Sequence, residues 1–307
     1  MNKRYLFITA FLVMLAVVGR SETDPVIEKT KTYTKTYSIN SNDRVKLENS
    51  FGEMKINTWD KNEVKVDVTI IAKSGTAEKA QEILDKINIE DGKNSDGVYF
   101  KTKADNLHTG KTKMDKQDYK EEGMQINYVV YLPSNNPLDA SNSFGALIIG
   151  DYKGAASLQS KFGSLTAGKL SNAKQVHVEF GKANIEWVNN GKVTIKFSKA
   201  TLGKFSGDVN SVFEFCEAVN IKLDNSISQL DVKSSYSTVE INLEKDISAD
   251  FDIKTNFGDI DNGTSYAIKE EDNGKKGIKF DKHYSGTIGK GSSKINIKSE
   301  FGKIKFL

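Results

Sequence analysis

The sequence is poor in cysteine, in proline and in long hydrophobic runs. Its 307 residues include 1 cysteine and 3 prolines. A single thiol, Cys216, can form neither an internal disulfide nor a thiolate metal cage, so the fold must be stabilised by its core. The hydrophobic content of 37% argues against a disordered chain and against a polytopic membrane protein.

The first 21 residues differ from the rest of the chain. Lys3 and Arg4 precede an apolar stretch from Tyr5 to Gly19, shorter than the roughly 20 residues that span a bilayer. This pattern predicts a secretory signal peptide at 1–21, with an uncleaved membrane anchor as the alternative. The segment contains no cysteine for lipid attachment. We therefore expect an exported protein that is periplasmic, on the outer surface or extracellular, is not a lipoprotein, and has no stable membrane insertion after cleavage.

The formal charge of +3 belongs to this leader. The chain has 44 Lys and Arg against 41 Asp and Glu, and residues 1–21 hold three basic residues and no acid. The remainder is therefore balanced, with 41 of each sign. Because nucleic-acid binding needs clustered Lys and Arg, the composition predicts no nucleic-acid partner.

A short phrase built on an aromatic residue recurs along the chain. From Phe144 the aromatic returns after 18, 18, 17, 18, 21 and 21 residues, and then after 44, which predicts a repeat protein. The copies are NSFGEM at 49–54, NSFGAL at 142–147, KFGSL at 161–165, EFGKA at 179–183, KFSKA at 196–200, EFCEA at 214–218, SYSTV at 235–239, NFGDI at 256–260 and EFGKI at 300–304.

Apolar residues alternate with polar ones on both sides of each aromatic, as in β-strands. Each unit is thus a strand, a corner and a second strand, and such short units become stable by stacking. The pattern predicts an all-β protein, a parallel β-solenoid of about seven coils, although an antiparallel meander is an alternative. We expect glycine at the corner to accept unusual backbone angles. Stacking in register predicts an internal structural aromatic ladder of Phe144, Phe162, Phe180, Phe197, Phe215, Tyr236, Phe257 and Phe301.

The repeat divides the chain after its leader into two parts. Residues 22–137 are less regular and are expected to form an N-terminal β cap with one helix at 76–87, where apolar residues follow helical spacing. Residues 138–307 form the predicted solenoid, with an inserted loop near 263–291. The charged stretch His108–Gly123 lacks periodicity and is predicted to be a loop.

The recurring NSFG and EFG phrases follow a front segment with EMKINTWDKNEVKVDVTI at 53–70 and VVYLP at 129–133. With the helix between them, this order resembles the bacterial putative-adhesin domain family, a domain of unknown function with a β-solenoid fold, over roughly residues 35–307. The resemblance implies a surface role and no catalytic motif. Members of that family tend to occur near envelope-stress regulators, which motivates a sensor or regulatory alternative.

Residues able to carry catalysis or bind a metal are sparse and scattered. Glu240, Asp259 and Asp261 could approach one another on the late coils, as a carbohydrate-active enzyme would require, but a solvated charged face is the simpler interpretation. His108, His177 and His283 lack metal-ligand spacing, and Cys216 is expected to be a structural thiol. Trp187 is expected in the core, and Trp59 against the cap rather than on a ligand.

These observations predict no enzyme, no catalytic residue, no cofactor and no metal. The leading hypothesis is a secreted or envelope-associated β-solenoid that serves as a binding or adhesion scaffold. Its expected partner is a cell-surface polysaccharide or an envelope protein. Envelope-stress sensing is the alternative, and a carbohydrate-active enzyme is a weaker one.

Overall fold

The structure is a computed structural model that describes residues 26–104, 123–271 and 280–307. The predicted signal peptide at 1–21, His108 and nearly all of the predicted loop at 108–123 lie outside the described residues. Within the described ranges, no helix combines the length and apolar character needed to cross a membrane.

The described residues form twenty-one strands and one helix, so the all-β class is confirmed. The elements are β1 Ile27–Ser38, β2 Arg44–Ser50, β3 Met54–Trp59, β4 Glu63–Ser74, α1 Ala77–Asp85, β5 Ile87–Asn94, β6 Gly97–Ala104, β7 Gly123–Pro133, β8 Leu138–Ser143, β9 Ala146–Ile149, β10 Tyr152–Lys161, β11 Ser164–Glu179, β12 Lys182–Lys196, β13 Lys199–Glu214, β14 Val219–Ser235, β15 Thr238–Leu243, β16 Ala249–Asn256, β17 Asp259–Asn262, β18 Lys269–Glu270, β19 Asp281–Ile288, β20 Ser293–Glu300 and β21 Lys303–Phe306.

Successive units pair as parallel strands, which confirms the solenoid architecture. In the centre, β11 pairs with β12, β12 with β13 and β13 with β14, all parallel and nearly in register. Each of these long strands belongs to two coils, because its first half follows one aromatic corner and its second half leads to the next. The antiparallel meander is therefore wrong for the repeats.

The order of coils in space differs from their order in the chain at both ends. β2 lies between β6 and β8, and β3 lies between β7 and β9. At the other end, β20 lies between β14 and β16, while β21 lies between β15 and β17. Both the first and the last phrase of the chain are thus inserted beneath an outer layer. The coil of β2 and β3 precedes the predicted boundary at residue 138.

Antiparallel strands cover the outer edges of β6 and β7 at one end of the stack and of β16 at the other. β4 pairs with β7, β1 with β4 and β5 with β6 at one end. β19 pairs with β16, and β18 pairs with β19 at the other. The predicted loop near 263–291 therefore contains these two covering strands. Such covers hide parallel edges that would otherwise recruit further strands.

The core lies between the two strand layers of each coil, where the alternating apolar residues are buried. Val45 and Leu47 before the first corner, and Met54 and Ile56 after it, expose 2% of their surface or less. Helix α1 begins after Thr76, whose hydroxyl accepts a hydrogen bond from the Lys79 backbone N–H at 3.2 Å. It agrees with the expected helix at 76–87, except that Ile87 already begins β5.

Alkaline pH should destabilise the N-terminal half through its buried and hydrogen-bonded tyrosines. Burial raises the pKa of Tyr128 to about 12, and a hydrogen bond to Asp91 raises the pKa of Tyr37 to about 12. In the unfolded chain, tyrosine side chains ionise near pH 10. This contribution to stability is therefore complete below pH 10 and is lost as the pH rises through 12. Urea unfolding of Tyr128→Phe should show a shallower loss of stability between pH 9 and 12 than the unsubstituted chain. Equal slopes would contradict the assignment.

Candidate functional site

The corner aromatics of successive coils stack into one continuous column. Neighbouring ring centroids lie 4.8–5.2 Å apart, with interplanar angles of 3–8°. The column spans about 40 Å, since eight steps follow the spacing of neighbouring strands. We call it the aromatic ladder; in spatial order it contains Phe51, Phe144, Phe162, Phe180, Phe197, Phe215, Tyr236, Phe301 and Phe257.

The prediction that this ladder is internal is wrong. Its eight members from Phe144 to Phe257 are 44–52% exposed. The position two residues before each aromatic is the one that faces the core: Asn49, Asn142, Ser160, Val178, Ile195, Phe213, Ser234, Thr255 and Ser299 are all buried. The rings therefore form an outer ridge along one corner of the solenoid, with neighbouring rings covering their faces and with their edges in solvent.

The outward direction follows from the backbone. Every ladder residue has a left-handed conformation, with φ between 47° and 66°. This conformation costs about 1–2 kcal/mol for a residue with a Cβ. Stacking returns about 0.5–1.5 kcal/mol per pair beyond area burial, so the two terms are of similar size. The coil-to-coil hydrogen bonds then decide the geometry, because each aromatic N–H donates to the carbonyl before the next aromatic, as from Phe162 to Glu179 at 3.0 Å.

The corner glycines serve a purpose different from the expected one. The positive φ belongs to the aromatic, whereas Gly145, Gly163 and Gly181 lack it. A Cβ on Gly163 would lie 2.0 Å from the Gly145 carbonyl oxygen, and one on Gly181 would lie 1.8 Å from that of Gly163. Glycine is thus required by the close approach of one coil's backbone to the next.

Three corners use Ser198, Cys216 and Ser237 in place of glycine. Their side chains are buried, and the Ser198 hydroxyl accepts from the Gly181 N–H at 2.9 Å and donates to the Lys196 carbonyl at 2.6 Å. Ser237 accepts from the Cys216 N–H at 3.0 Å. Burial raises the pKa of the Cys216 thiol, which keeps it protonated, and its sulfur lies 3.4 Å from two backbone carbonyls. This environment agrees with a structural thiol.

Two rows of mostly polar side chains flank the ladder. Row A is the residue before each aromatic and row B is the residue two after it. In spatial order from Phe51, row A is Ser50, Ser143, Lys161, Glu179, Lys196, Glu214, Ser235, Glu300 and Asn256, and row B is Glu53, Ala146, Ser164, Lys182, Lys199, Glu217, Thr238, Lys303 and Asp259. Ion pairs join neighbouring coils within both rows. The ridge is apolar at its crest and close to neutral along its sides.

The late carboxylates do not form an isolated acidic cluster. Strand β21 lies between the strands that carry Glu240 and Asp261, and it places lysines among the acids. Lys305 contacts Glu240 at 2.8 Å, and Lys303 contacts Asp261 at 3.2 Å. Lys282 lies 2.7 Å from Asp259 and lowers the pKa of that carboxyl. A general acid for glycoside cleavage needs a raised pKa instead.

Each tryptophan lies at the end of its coil that is opposite the ladder. Trp187 is half-buried rather than in the core, because the inward alternation shifts from Ile185 to Val188. Its Nε1 donates to Ser206 Oγ at 2.6 Å, and Lys169 Nζ lies 3.7 Å from its ring centroid. Trp59 stacks on Tyr131 of β7 at 5.3 Å, as expected for cap packing.

Both histidines in the described ranges lie beside carboxylates. His177 is half-buried on the outer face, 3.5 Å from Glu179. His283 of β19 lies between two carboxylates, 2.7 Å from both Asp252 and Glu271. Across the three described ranges, no group of three His, Cys, Asp or Glu side chains has an arrangement suited to a metal ion.

The column of stacked rings includes two that are absent from the predicted ladder. Phe51 stacks on Phe144 at 5.2 Å, and its phrase NSFG is identical to that of the following coil, so the signal is present in the sequence. Phe280 packs on Phe257 at 4.6 Å with a 27° tilt. No repeat phrase surrounds Phe280, since it precedes the antiparallel strand β19, and nothing in the pattern indicates it.

The corner glycines can be tested by adding one methyl group. Gly163→Ala should destabilise the protein by about 1–3 kcal/mol, because the new Cβ meets the neighbouring backbone. Gly150→Ala is the matched control, since a Cβ there would have no atom within 4 Å beyond its own chain neighbours. Chemical denaturation compares the two, and equal stabilities would contradict a close-approach role.

Left-handed strain can be tested at Phe180. Asparagine tolerates this conformation better than a β-branched residue does. Phe180→Asn and Phe180→Val both remove the ring, but the valine variant should be less stable by about 1 kcal/mol. Differential scanning calorimetry measures the difference. A valine variant as stable as the asparagine variant would show that the corner relaxes.

Solved structures similar to this chain include two that match it over about nine tenths of its length. One is described as a putative cell adhesion protein from Clostridium sporogenes, with 16% identity, a TM-score of 0.30 and coverage of 91% of this chain and 99% of the other. The second is described as a putative adhesin from Bacteroides fragilis, with 13% identity, a TM-score of 0.26 and coverage of 90% and 97%. No family model matches the chain. No curated protein matches it either. At these scores the two structures are distant in both sequence and superposition.

Proposed function

We propose that this protein is an exported, non-catalytic binding or adhesion scaffold of the bacterial envelope, and that the aromatic ladder is its binding surface. The observation that carries the proposal is the exposure of eight stacked rings along one corner. The largest apolar patch on a typical monomer covers about 300–600 Å², and larger ones mark interaction sites. Half-exposed rings of about 100 Å² each give the ladder about 800 Å².

The geometry of the rings bears on the partner class. Sugars stack on the faces of aromatic rings, whereas the ladder's faces are covered by neighbouring rings about 5 Å away. The exposed edges instead form a ridge that suits an apolar groove or a second ridge. Of the two expected partners, an envelope protein is therefore favoured over a polysaccharide.

The mixture of positive and negative side chains beside the ladder favours a partner without a large net charge. The flanking rows contain both signs, and their lysines and glutamates pair with each other, as Lys161 does with Glu179 at 3.3 Å. Such a surface gives no long-range attraction to polyanions. The late carboxylates are likewise paired with lysines, which supports a non-catalytic role.

A pull-down from isolated envelopes, together with a glycan array, tests the proposal. The triple variant Phe162→Asn, Phe180→Asn, Phe197→Asn removes three adjacent rings while keeping residues that accept the corner conformation. It should lose at least tenfold in binding. Lys174→Ala, Lys192→Ala is the control, because both exposed lysines lie about 20 Å along their strands from the ladder.

Retention of envelope or glycan binding by the triple variant would show that another surface carries the function. Absence of any binding by the unsubstituted protein would contradict the scaffold role itself.

A further inference from the structure

We infer that the partner of the aromatic ladder is the ladder of a second copy of this chain, bound antiparallel about a twofold axis between Phe197 and Phe215. The inference rests on the proposed function. It identifies the envelope-protein partner proposed there as a second molecule of this protein. Contact between copies would then be homophilic.

The area of the ridge meets the requirement for a stable dimer. Standard protein interfaces bury about 800 Å² on each partner. The eight rings from Phe144 to Phe257 expose 44–52% of their surface, which gives about 800 Å² of mostly apolar area before the flanking rows are counted. The two ridges have the same step, about 5 Å, so ring edges of one copy can meet ring edges of the other along the whole length.

The flanking charges select one register. Between Phe197 and Phe215, row A changes from Lys196 to Glu214 and row B from Lys199 to Glu217, with ion-pair distances of 2.7 and 2.6 Å. A twofold axis that crosses the ladder at this step reverses the order of coils and keeps each row opposite itself. Both lysines of one copy therefore face glutamates of the second copy, and both glutamates face lysines.

The same axis matches the rest of the ridge. It places each of the eight exposed rings opposite a ring of the second copy. Phe144 lies opposite Phe257, and Phe180 lies opposite Tyr236. It also places Lys161 opposite Glu300 in row A. No like charges meet in either row at this register.

Neighbouring registers bring like charges together. An axis one step nearer the N-terminal end would put Lys182 against Lys199 of the second copy. An axis one step nearer the C-terminal end would put Lys199 against Lys303. An axis through Phe197 or Phe215 would set Lys196 or Glu214 against itself. Complementary charges set register and exclude alternatives more than they add affinity.

The dimer can be measured by sedimentation equilibrium of the purified protein. We expect a mass of twice the chain, and Phe197→Asn, Phe215→Asn should raise the dissociation constant at least tenfold. Circular dichroism melting checks that this variant is folded. A monomer at every concentration, or a dissociation constant unchanged by the double variant, would overturn the inference.

Charge reversal tests the register itself. Glu214→Lys, Glu217→Lys places only lysines around the axis, and Lys196→Glu, Lys199→Glu places only glutamates there. Each variant alone should be monomeric, and an equimolar mixture should form a heterodimer. The quadruple variant carrying all four changes should dimerise again. Lys174→Glu, Lys192→Glu, far from the ladder, is the control and should leave dimerisation unchanged.

Homodimers of both single-sign variants, or a mixture that stays monomeric, would contradict the proposed axis. The outcome separates this inference from the broader proposal. A monomeric protein whose ladder variants lose envelope or glycan binding leaves the scaffold role intact and overturns the homophilic contact. A dimer abolished by ladder variants, without any other ligand, supports the homophilic contact.

Discussion

The structure depends on how closely the backbone of one coil approaches the next at the aromatic corner. There the N–H of each aromatic donates to the carbonyl before the next aromatic, and the glycine carbonyl oxygen of one coil lies where a Cβ of the next would be. This spacing brings the rings to stacking distance and keeps both strand layers in register. Because a left-handed aromatic costs about as much as its stacking returns, the rings alone do not explain the corner. The hydrogen-bonded ladder of coils holds them there.

Much of this architecture could be predicted from the recurring phrase. The spacing of the aromatics and the alternation around them indicate parallel coils, and the helix follows from its apolar spacing and Thr76. The direction of the rings could not be predicted. The sixth, fourth and second residues before most of the aromatics face the core, so simple alternation predicts that the aromatic faces the core as well. A left-handed residue at the corner reverses that direction. Alternation describes extended chain and does not apply where the backbone turns.

The order of the coils at the two ends could not be predicted from the sequence pattern either. The 44-residue gap before Phe301 is compatible with one more coil at the end, yet the coil of β20 and β21 is inserted before that of β16 and β17. This insertion places Lys303 and Lys305 among the late carboxylates and leaves β16 to be covered by β19. The N-terminal end has the same arrangement, with β2 and β3 beneath β6 and β7. The outer edges of β6 and β7 at one end and of β16 at the other are thus covered by antiparallel strands, which limits growth by strand addition there.

Covered ends and an exposed side have a common consequence for association. A solenoid whose terminal edges are open would extend end to end through backbone hydrogen bonds, a contact that does not discriminate among sequences. Those edges are covered at β6, β7 and β16, and the longest apolar feature of the described surface is the aromatic ladder at the corner. Contact there depends on side chains, and the alternating lysines and glutamates beside Phe197 and Phe215 supply the discrimination that backbone pairing lacks. The proposed contact therefore lies on a surface where the side chains of the protein itself can determine which partner binds.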